Sequence, residues 1–340
     1  MGPSPRGILP RGDPLNRPIE DDAARLVDPP AWGYSLHNHR ELVIACLDAA
    51  EVGSLLEIGA FEGDLTEDLL AWAKPKGVPV ATVDPVPPPK LLEREQAHPE
   101  LTLHRRTSHE VLADLDELPD AIVIDGDHNW FTLREELRLI GEKAGNGQLP
   151  LLFFHDVCWP HERRDTYYAP ERVPESERPE IGENVGLAPG NPGTDPLGLP
   201  YPAAALREGG PKNGTVTAIE EFSRDRGGVR FVVVPAFFGV GFLWQESAPY
   251  ADALAAVLDP FDRHPVLDRL EWNRVEHLVA GHGRAVMIRE LQGRVQAQEE
   301  LLREMVNSRA FAIAERISRI YQRGKPTLSR DAIVRVLGGK

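Results

Sequence analysis

Two short runs carry most of the reactive side chains in this 340-residue chain. Ile124 is followed by Asp125-Gly126-Asp127-His128-Asn129-Trp130, and Phe154 by His155-Asp156-Val157. A histidine of near-neutral pKa can take the proton of a hydroxyl, so His128 and His155 are the candidate bases. Asp125 and Asp156, with His155, form a candidate set for a hard divalent cation such as Mg2+. A third run, Leu55-Leu56-Glu57-Ile58-Gly59-Ala60-Phe61-Glu62-Gly63, brings two glycines that let backbone approach a ligand closely. Asp84, 21 residues beyond Gly63, ends the apolar run Val80–Val83, where an acid can take both hydroxyls of a ribose. This pattern is that of a nucleoside-binding α/β domain.

The elements that must position these groups alternate in type. Apolar periodicity predicts a helix over 35–50, then a strand at 54–58, a helix at 66–73, a strand at 80–83 and a helix at 91–97. Strands follow at 101–105, 121–124 and 149–154, with helices over 109–115 and from Thr132 to about Lys143. Thr132-x-x-Glu135 reads as a capping box. A helix over 215–226 precedes β runs at 229–235 and 240–245, too close together for a parallel crossover. The expected fold is therefore α/β, a Rossmann-like, doubly wound, mostly parallel seven-stranded sheet with an antiparallel edge hairpin and C-terminal helices. In such a sheet the ends of strands four and five are neighbours and face the cleft of Gly59–Gly63. Three acids and two histidines there exceed what core packing needs.

The remaining segments are irregular or helical. Residues 1–30 are proline-rich and read as an extended arm. Residues 158–213 hold ten prolines and seven glycines without a period, which predicts a lid or substrate-binding loop rather than a packed element. Trp159, His161, Arg163, Arg164, Tyr167 and Tyr168 favour order at its start. From 251 to 340 the pattern is helical. Ile288, Leu291, Val295, Gln298, Leu302 and Met305 make a short heptad seam, which predicts a homo-oligomer through these helices, and Phe311–Tyr321 continues as a second amphipathic helix.

A formal charge of −15 argues against a nucleic-acid surface, which needs clustered Lys and Arg. No apolar run is long enough for a membrane span, and no apolar signal core precedes residue 30, so a cytoplasmic location is expected. Two cysteines, Cys46 and Cys158, give neither a disulfide framework nor a zinc pattern.

The Glu57-x-Gly59-x-x-x-Gly63 form resembles the first motif of class I S-adenosylmethionine-dependent methyltransferases, and departs from the Gly-x-Gly-x-x-Gly of dinucleotide folds. The resemblance covers about residues 30–246. It implies S-adenosylmethionine held by Glu57, Gly59, Ala60, Phe61, Gly63, Asp84 and Asp125, with Ser108 at the adenine edge. The runs after strands four and five are similar to catechol O-methyltransferase-like enzymes. There Asp125 matches the metal-binding acid, His128 the lysine base, and His155-Asp156 an acid–amide pair whose first member here is His. His155 through Tyr168, with Glu208–Gly214, also looks like a family found beside glycan and natural-product genes. An O-methyltransferase acting on a sugar, glycan or glycosylated small molecule is the implied function, with Mg2+ as a possible second cofactor. The competing expectation is a non-catalytic nucleoside-binding or scaffold protein that uses its C-terminal helices.

Overall fold

The computed structural model describes residues 34–321 and 329–336. The arm expected over 1–30 lies outside them. The described residues form two compact units, one ending at Leu278 and the other beginning at Val279.

In the first unit five strands run parallel: β1 (Leu55–Ile58), β2 (Val80–Val83), β3 (Leu101–His104), β4 (Ala121–Ile124) and β5 (Leu151–His155). Two more, β8 (Val229–Val234) and β9 (Val240–Gln245), complete the order β3-β2-β1-β4-β5-β9-β8. β9 is antiparallel to both β5 and β8, as the short connection between the last two strands requires. Register decides what meets at the carboxyl edge. Ile58 pairs with Val83 and with Ile124, and Ile124 pairs with Phe154. Gly59, Asp84, Asp125 and His155 therefore emerge side by side where the strand order reverses, the place where open α/β sheets bind ligands.

Both faces of the sheet are covered, which explains the unbroken apolar strands. Leu55, Val123, Phe153 and Phe242 pack with α1 (Arg40–Ala49), α2 (Asp64–Ala73) and α7 (Ala251–Leu258), through residues such as Val43, Leu69 and Leu254. Leu56, Ile58, Ile122, Ile124 and Phe154 pack with α4 (Ser108–Asp114), α5 (Trp130–Ala144) and α6 (Thr215–Arg226). α3 (Pro89–Ala97) connects β2 to β3. Thr132 does not cap α5. Asn129 does, its side-chain oxygen accepting from the Thr132 N–H at 2.8 Å, so the helix starts one turn earlier than Thr132-x-x-Glu135 predicts. A reciprocal capping box stands instead at Thr107 and Glu110, ahead of α4.

The proline-rich insertion after β5 is more regular than its composition. It contains a two-stranded antiparallel sheet, β6 (Ile181–Leu187) and β7 (Leu199–Ala205), paired Ile181 to Ala205. β7 includes Pro200 and Pro202, which hide it from a sequence reading, yet a two-stranded sheet leaves every second N–H unpaired and tolerates them. Buried Asp165 anchors the insertion: one carboxylate oxygen accepts from the N–H of Trp130 (2.8 Å) and of Gly214 (2.6 Å), the other from the Tyr167 hydroxyl (2.7 Å). Burial pushes its carboxyl up to about 6. The start of the insertion is thereby tied to the first turns of α5 and α6.

α7 belongs with the sheet, since Leu254 and Leu258 are fully buried in its core. The first unit thus runs past the boundary near 250 that composition predicts, and takes in the first turns of α8 (Pro265–Asn307). The second unit holds the rest of α8, α9 (Arg309–Tyr321) and α10 (Arg330–Val336). Ile288, Leu291, Val295 and Met305 of the expected seam are exposed. Among the described residues no helix is long and apolar enough to cross a membrane.

Candidate active site

The glycine turn is shaped by two residues in the left-handed backbone region. Gly59 has φ +84°, and a Cβ there would lie 2.1 Å from the carbonyl oxygen of Asp125. Gly63, φ +80°, opens α2 in the left-handed conformation, and a Cβ there would meet the Arg94 side chain at 2.5 Å. Phe61 also takes a positive φ and leaves its ring largely exposed. Asp84 at the end of β2 accepts from the Val86 N–H at 2.8 Å and from the backbone of Phe61; burial raises its carboxyl. Glu57 is placed differently from the rest. It is buried, and its Oε2 accepts from Thr66 (2.6 Å) and Thr82 (3.2 Å), so it ties β1 to α2 and β2. Burial lifts it to about 7. Ala60 lies buried in the turn. Ser108 is the first residue of α4 rather than its cap, and its hydroxyl binds buried Glu136 of α5, whose carboxyl burial raises to about 8.

Around the ends of β4 and β5 the histidines separate into distinct states. His155 is buried, with Nδ1 2.9 Å from Asp125 Oδ1 and Nε2 3.2 Å from the Phe237 carbonyl oxygen. Two acceptors require two N–H donors, and so an imidazolium. Burial alone would lower its pKa, but the Asp125 and Asp156 carboxylates outweigh burial and push it up to about 9. His161 goes the other way, to about 3, because burial dominates. Its Nδ1 meets the Thr166 hydroxyl at 3.1 Å and its Nε2 lies 3.3 Å from Asp156 Oδ2. His39 is also held near 3 by burial, with the His155 charge adding to the effect, and its Nε2 donates to the Ala236 carbonyl at 2.9 Å.

His128 sits between these. Its Nε2 lies 3.2 Å from Asp156 Oδ2, while its ring packs 4.9 Å from that of His161 and 6.0 Å from that of Tyr168. A carboxylate beside Nε2 favours the tautomer protonated there and leaves the Nδ1 lone pair as a proton acceptor. Asp156 itself is buried and has φ +56°, and despite that burial the charges of His155 and Arg274 help hold its carboxyl below the usual range. Asp127 accepts from the Tyr168 N–H at 3.0 Å and the Asn129 amide at 2.7 Å, a joint between the β4–α5 loop and the insertion.

The structure thus brings Gly59, Gly63, Asp84, Asp125, His128, His155 and Asp156 to one edge. Two of the roles expected of them find no support in this arrangement. His155, with both ring nitrogens engaged and a proton on each, has no lone pair for a base or a metal. The metal set Asp125, His155 and Asp156 fails for the same reason, and among the described residues no group of three His, Cys, Asp or Glu side chains is arranged to hold an ion. Of the two early histidines, His39 lines the site, whereas His37 pairs with Asp68 of α2. Tyr201 and Arg274 join the site without any sequence signal, one from a proline-flanked strand and one from a long helix far along the chain. His161 had signalled only order.

No family model matches the chain, and no curated protein matches its sequence. Solved structures that it is similar to include the SAH-bound methyltransferase PaMTH1 of Podospora anserina, at 15% identity and TM-score 0.40, covering 67% of this chain and 86% of that one. DesVI of Streptomyces venezuelae aligns at 12% identity and TM-score 0.39, over 67% of this chain and 99% of its own. NcsB1, an O-methyltransferase from neocarzinostatin biosynthesis solved with S-adenosylmethionine and a naphthoic acid, aligns at 15% identity and TM-score 0.36, over 68% of this chain and 62% of its own. Likeness at this level carries no functional weight, and the fold stands on its own strand order.

Proposed function

We propose that this protein is an S-adenosylmethionine-dependent O-methyltransferase whose base is His128. The observation that carries the reading is the shared carboxyl edge. The glycine turn and Asp84 leave it on one side, and the His128–Asp156 pair on the other. The residues suit the cofactor: Gly59 lets the turn after β1 close against the Asp125 backbone, where a Cβ would lie 2.1 Å from the carbonyl oxygen, and Asp84 stands just past the end of β2, where an acid can take ribose hydroxyls. Bound there, S-adenosylmethionine supplies a methyl group on a sulfonium, open to in-line displacement by an oxygen nucleophile.

The chain's own residues then have two tasks, positioning and proton removal. His128 Nδ1 takes the proton of the acceptor hydroxyl. Asp156, 3.2 Å from Nε2, fixes the tautomer and stabilises the imidazolium that forms. His155 stays protonated and offsets the carboxylates of Asp125 and Asp156, which keeps two acids ionised in a buried site. The metal-dependent variant finds no support in this donor set, and no step is assigned to Mg2+. The acceptor is a hydroxyl of a sugar, glycan or natural product, enclosed by residues 158–213 acting as a lid. The exposed stripe on α8 supports self-association.

Calorimetry with S-adenosylmethionine against NAD tests the reading directly. Binding of the first and none of the second is expected; NAD binding, or no heat from either, would remove it.

A further inference from the structure

Six buried side-chain polar atoms among the described residues reach no hydrogen-bond partner, and three of them gather at this site: Asp156 Oδ1, the Tyr201 hydroxyl and Arg274 Nη1. Two shared neighbours link them. His161 stands between the first pair, its Nε2 3.3 Å from the other Asp156 oxygen and its ring 5.6 Å from that of Tyr201. Phe238, fully buried at the tip of the β8–β9 hairpin, stands between His161 (6.5 Å) and the Arg274 guanidinium (4.5 Å), with Tyr34 stacked at 4.9 Å. Buried polar atoms are normally satisfied, so three together at the mouth of a reaction site call for a bound molecule. The charges of Asp156 and Arg274 both bear on the Tyr201 hydroxyl, which agrees with their closeness.

We infer that Asp156 Oδ1, Tyr201 and Arg274 Nη1 form the acceptor subsite, and that it takes an uncharged polyhydroxylated ring, a glycoside rather than a sugar acid or sugar phosphate. The inference rests on the methyltransferase reading for the word acceptor, but not for the site itself. Each atom states what it lacks. The carboxylate oxygen needs a donor, the guanidinium N–H an acceptor, and the phenol serves as either; adjacent hydroxyls of one ring meet all three. Charge decides against an anion. Arg274 already donates to both oxygens of Glu271, at 2.6 and 2.8 Å, and His155 is matched by Asp125. Two cations thus face the carboxylates of Asp125, Asp156 and Glu271, leaving no positive charge for an acidic ligand. The exposed rings of Tyr34 and Tyr168 supply apolar faces for the C–H side of a sugar.

Tyr201→Phe is the sharpest test, because it removes a hydroxyl that has no partner in the free protein. Its melting temperature should equal or exceed that of wild type, which a structural role would not allow. Saturation-transfer NMR with methyl α-D-gluco-, galacto- and mannopyranoside, and with D-glucuronate as the charged probe, is run with and without S-adenosylhomocysteine. At least one neutral glycoside should bind wild type, about tenfold more weakly to Tyr201→Phe and to Arg274→Lys, with D-glucuronate weaker than the neutral sugars. Equal binding to Tyr201→Phe, preference for D-glucuronate, or no neutral glycoside bound at all would overturn the subsite. Wild type that binds a glycoside but not S-adenosylhomocysteine would overturn the methyltransferase reading and leave the subsite standing.

Discussion

The two halves of the carboxyl edge are built in opposite ways. The half proposed to hold the cofactor comes from contiguous chain: a strand, a turn of five residues and a neighbouring strand deliver Gly59, Gly63 and Asp84 within one βαβ unit. Its special backbone falls mainly on glycines, and its buried acid, Glu57, is satisfied by two threonines. The half proposed to take the acceptor is assembled from distant pieces, including Tyr34, His128, Asp156, Tyr201, Phe238 and Arg274. Its left-handed backbone falls on Asp156, Phe237 and Phe238, and its polar atoms are left open. A cofactor common to many reactions needs a compact cradle, whereas selecting one acceptor needs groups from many directions, held by longer-range packing. Three of the six unpartnered buried polar atoms among the described residues fall in this half.

If the halves divide the work in this way, they should fail separately. His128→Ala should lower turnover by about 10²–10⁴ while the dissociation constant for S-adenosylmethionine stays at the wild-type value. A wild-type rate would remove His128 as the base; lost cofactor binding would show that the halves are one. Asp84→Ala should do the reverse, weakening S-adenosylmethionine by about tenfold or more through loss of charge-assisted bonds, with turnover at saturating cofactor retained. Both are read from the same titration and rate assays.

The same division explains what the sequence could disclose. Glu57, Gly59, Gly63 and Asp84 lie at fixed short spacings because adjacent parallel strands and one helix set them, so local pattern sufficed. Asp125, His128, His155 and Asp156 were legible as strand-end residues, but their states were not. That His155 is an imidazolium follows from the Phe237 carbonyl, which reaches it from a hairpin about eighty residues away. Tyr201 and Arg274 left no trace, since nothing in Pro200-Tyr201-Pro202 or in an amphipathic helix marks a ligand. The capping box at Thr132 misled because Asn129 offered the same chemistry one turn earlier.

A subtler test concerns Glu136, which Ser108 touches at the cofactor edge. Burial holds its carboxyl near 8, far above the value near 4.5 it has when free. The folded protein therefore keeps this proton when the unfolded chain has lost it. The stability it contributes is complete below about pH 4.5 and falls as pH rises towards 8, by about 1.4 kcal/mol per unit at most. Glu136→Gln fixes the neutral form, so its advantage over wild type in urea unfolding should be small at pH 5 and grow to a plateau above pH 8. A pH-independent difference would mean that Glu136 is ionised and otherwise compensated.

The smallest expected effect on catalysis comes from the second unit, which supplies none of the site residues. Ile288, Leu291, Val295 and Met305 are about half exposed along one helix, at spacings that suit a two-stranded seam. We propose a second copy as its partner, since two copies of the same heptads are self-complementary. Leu291→Glu with Val295→Glu places like charges opposite each other in any such pairing, so sedimentation should shift from a dimer or larger species to monomer. Cofactor affinity and turnover should not move. Wild type that already sediments as a monomer would retire the seam as an interface; variants that lose activity on becoming monomeric would show that assembly completes the acceptor half, and the contrast between the halves would then extend across two chains.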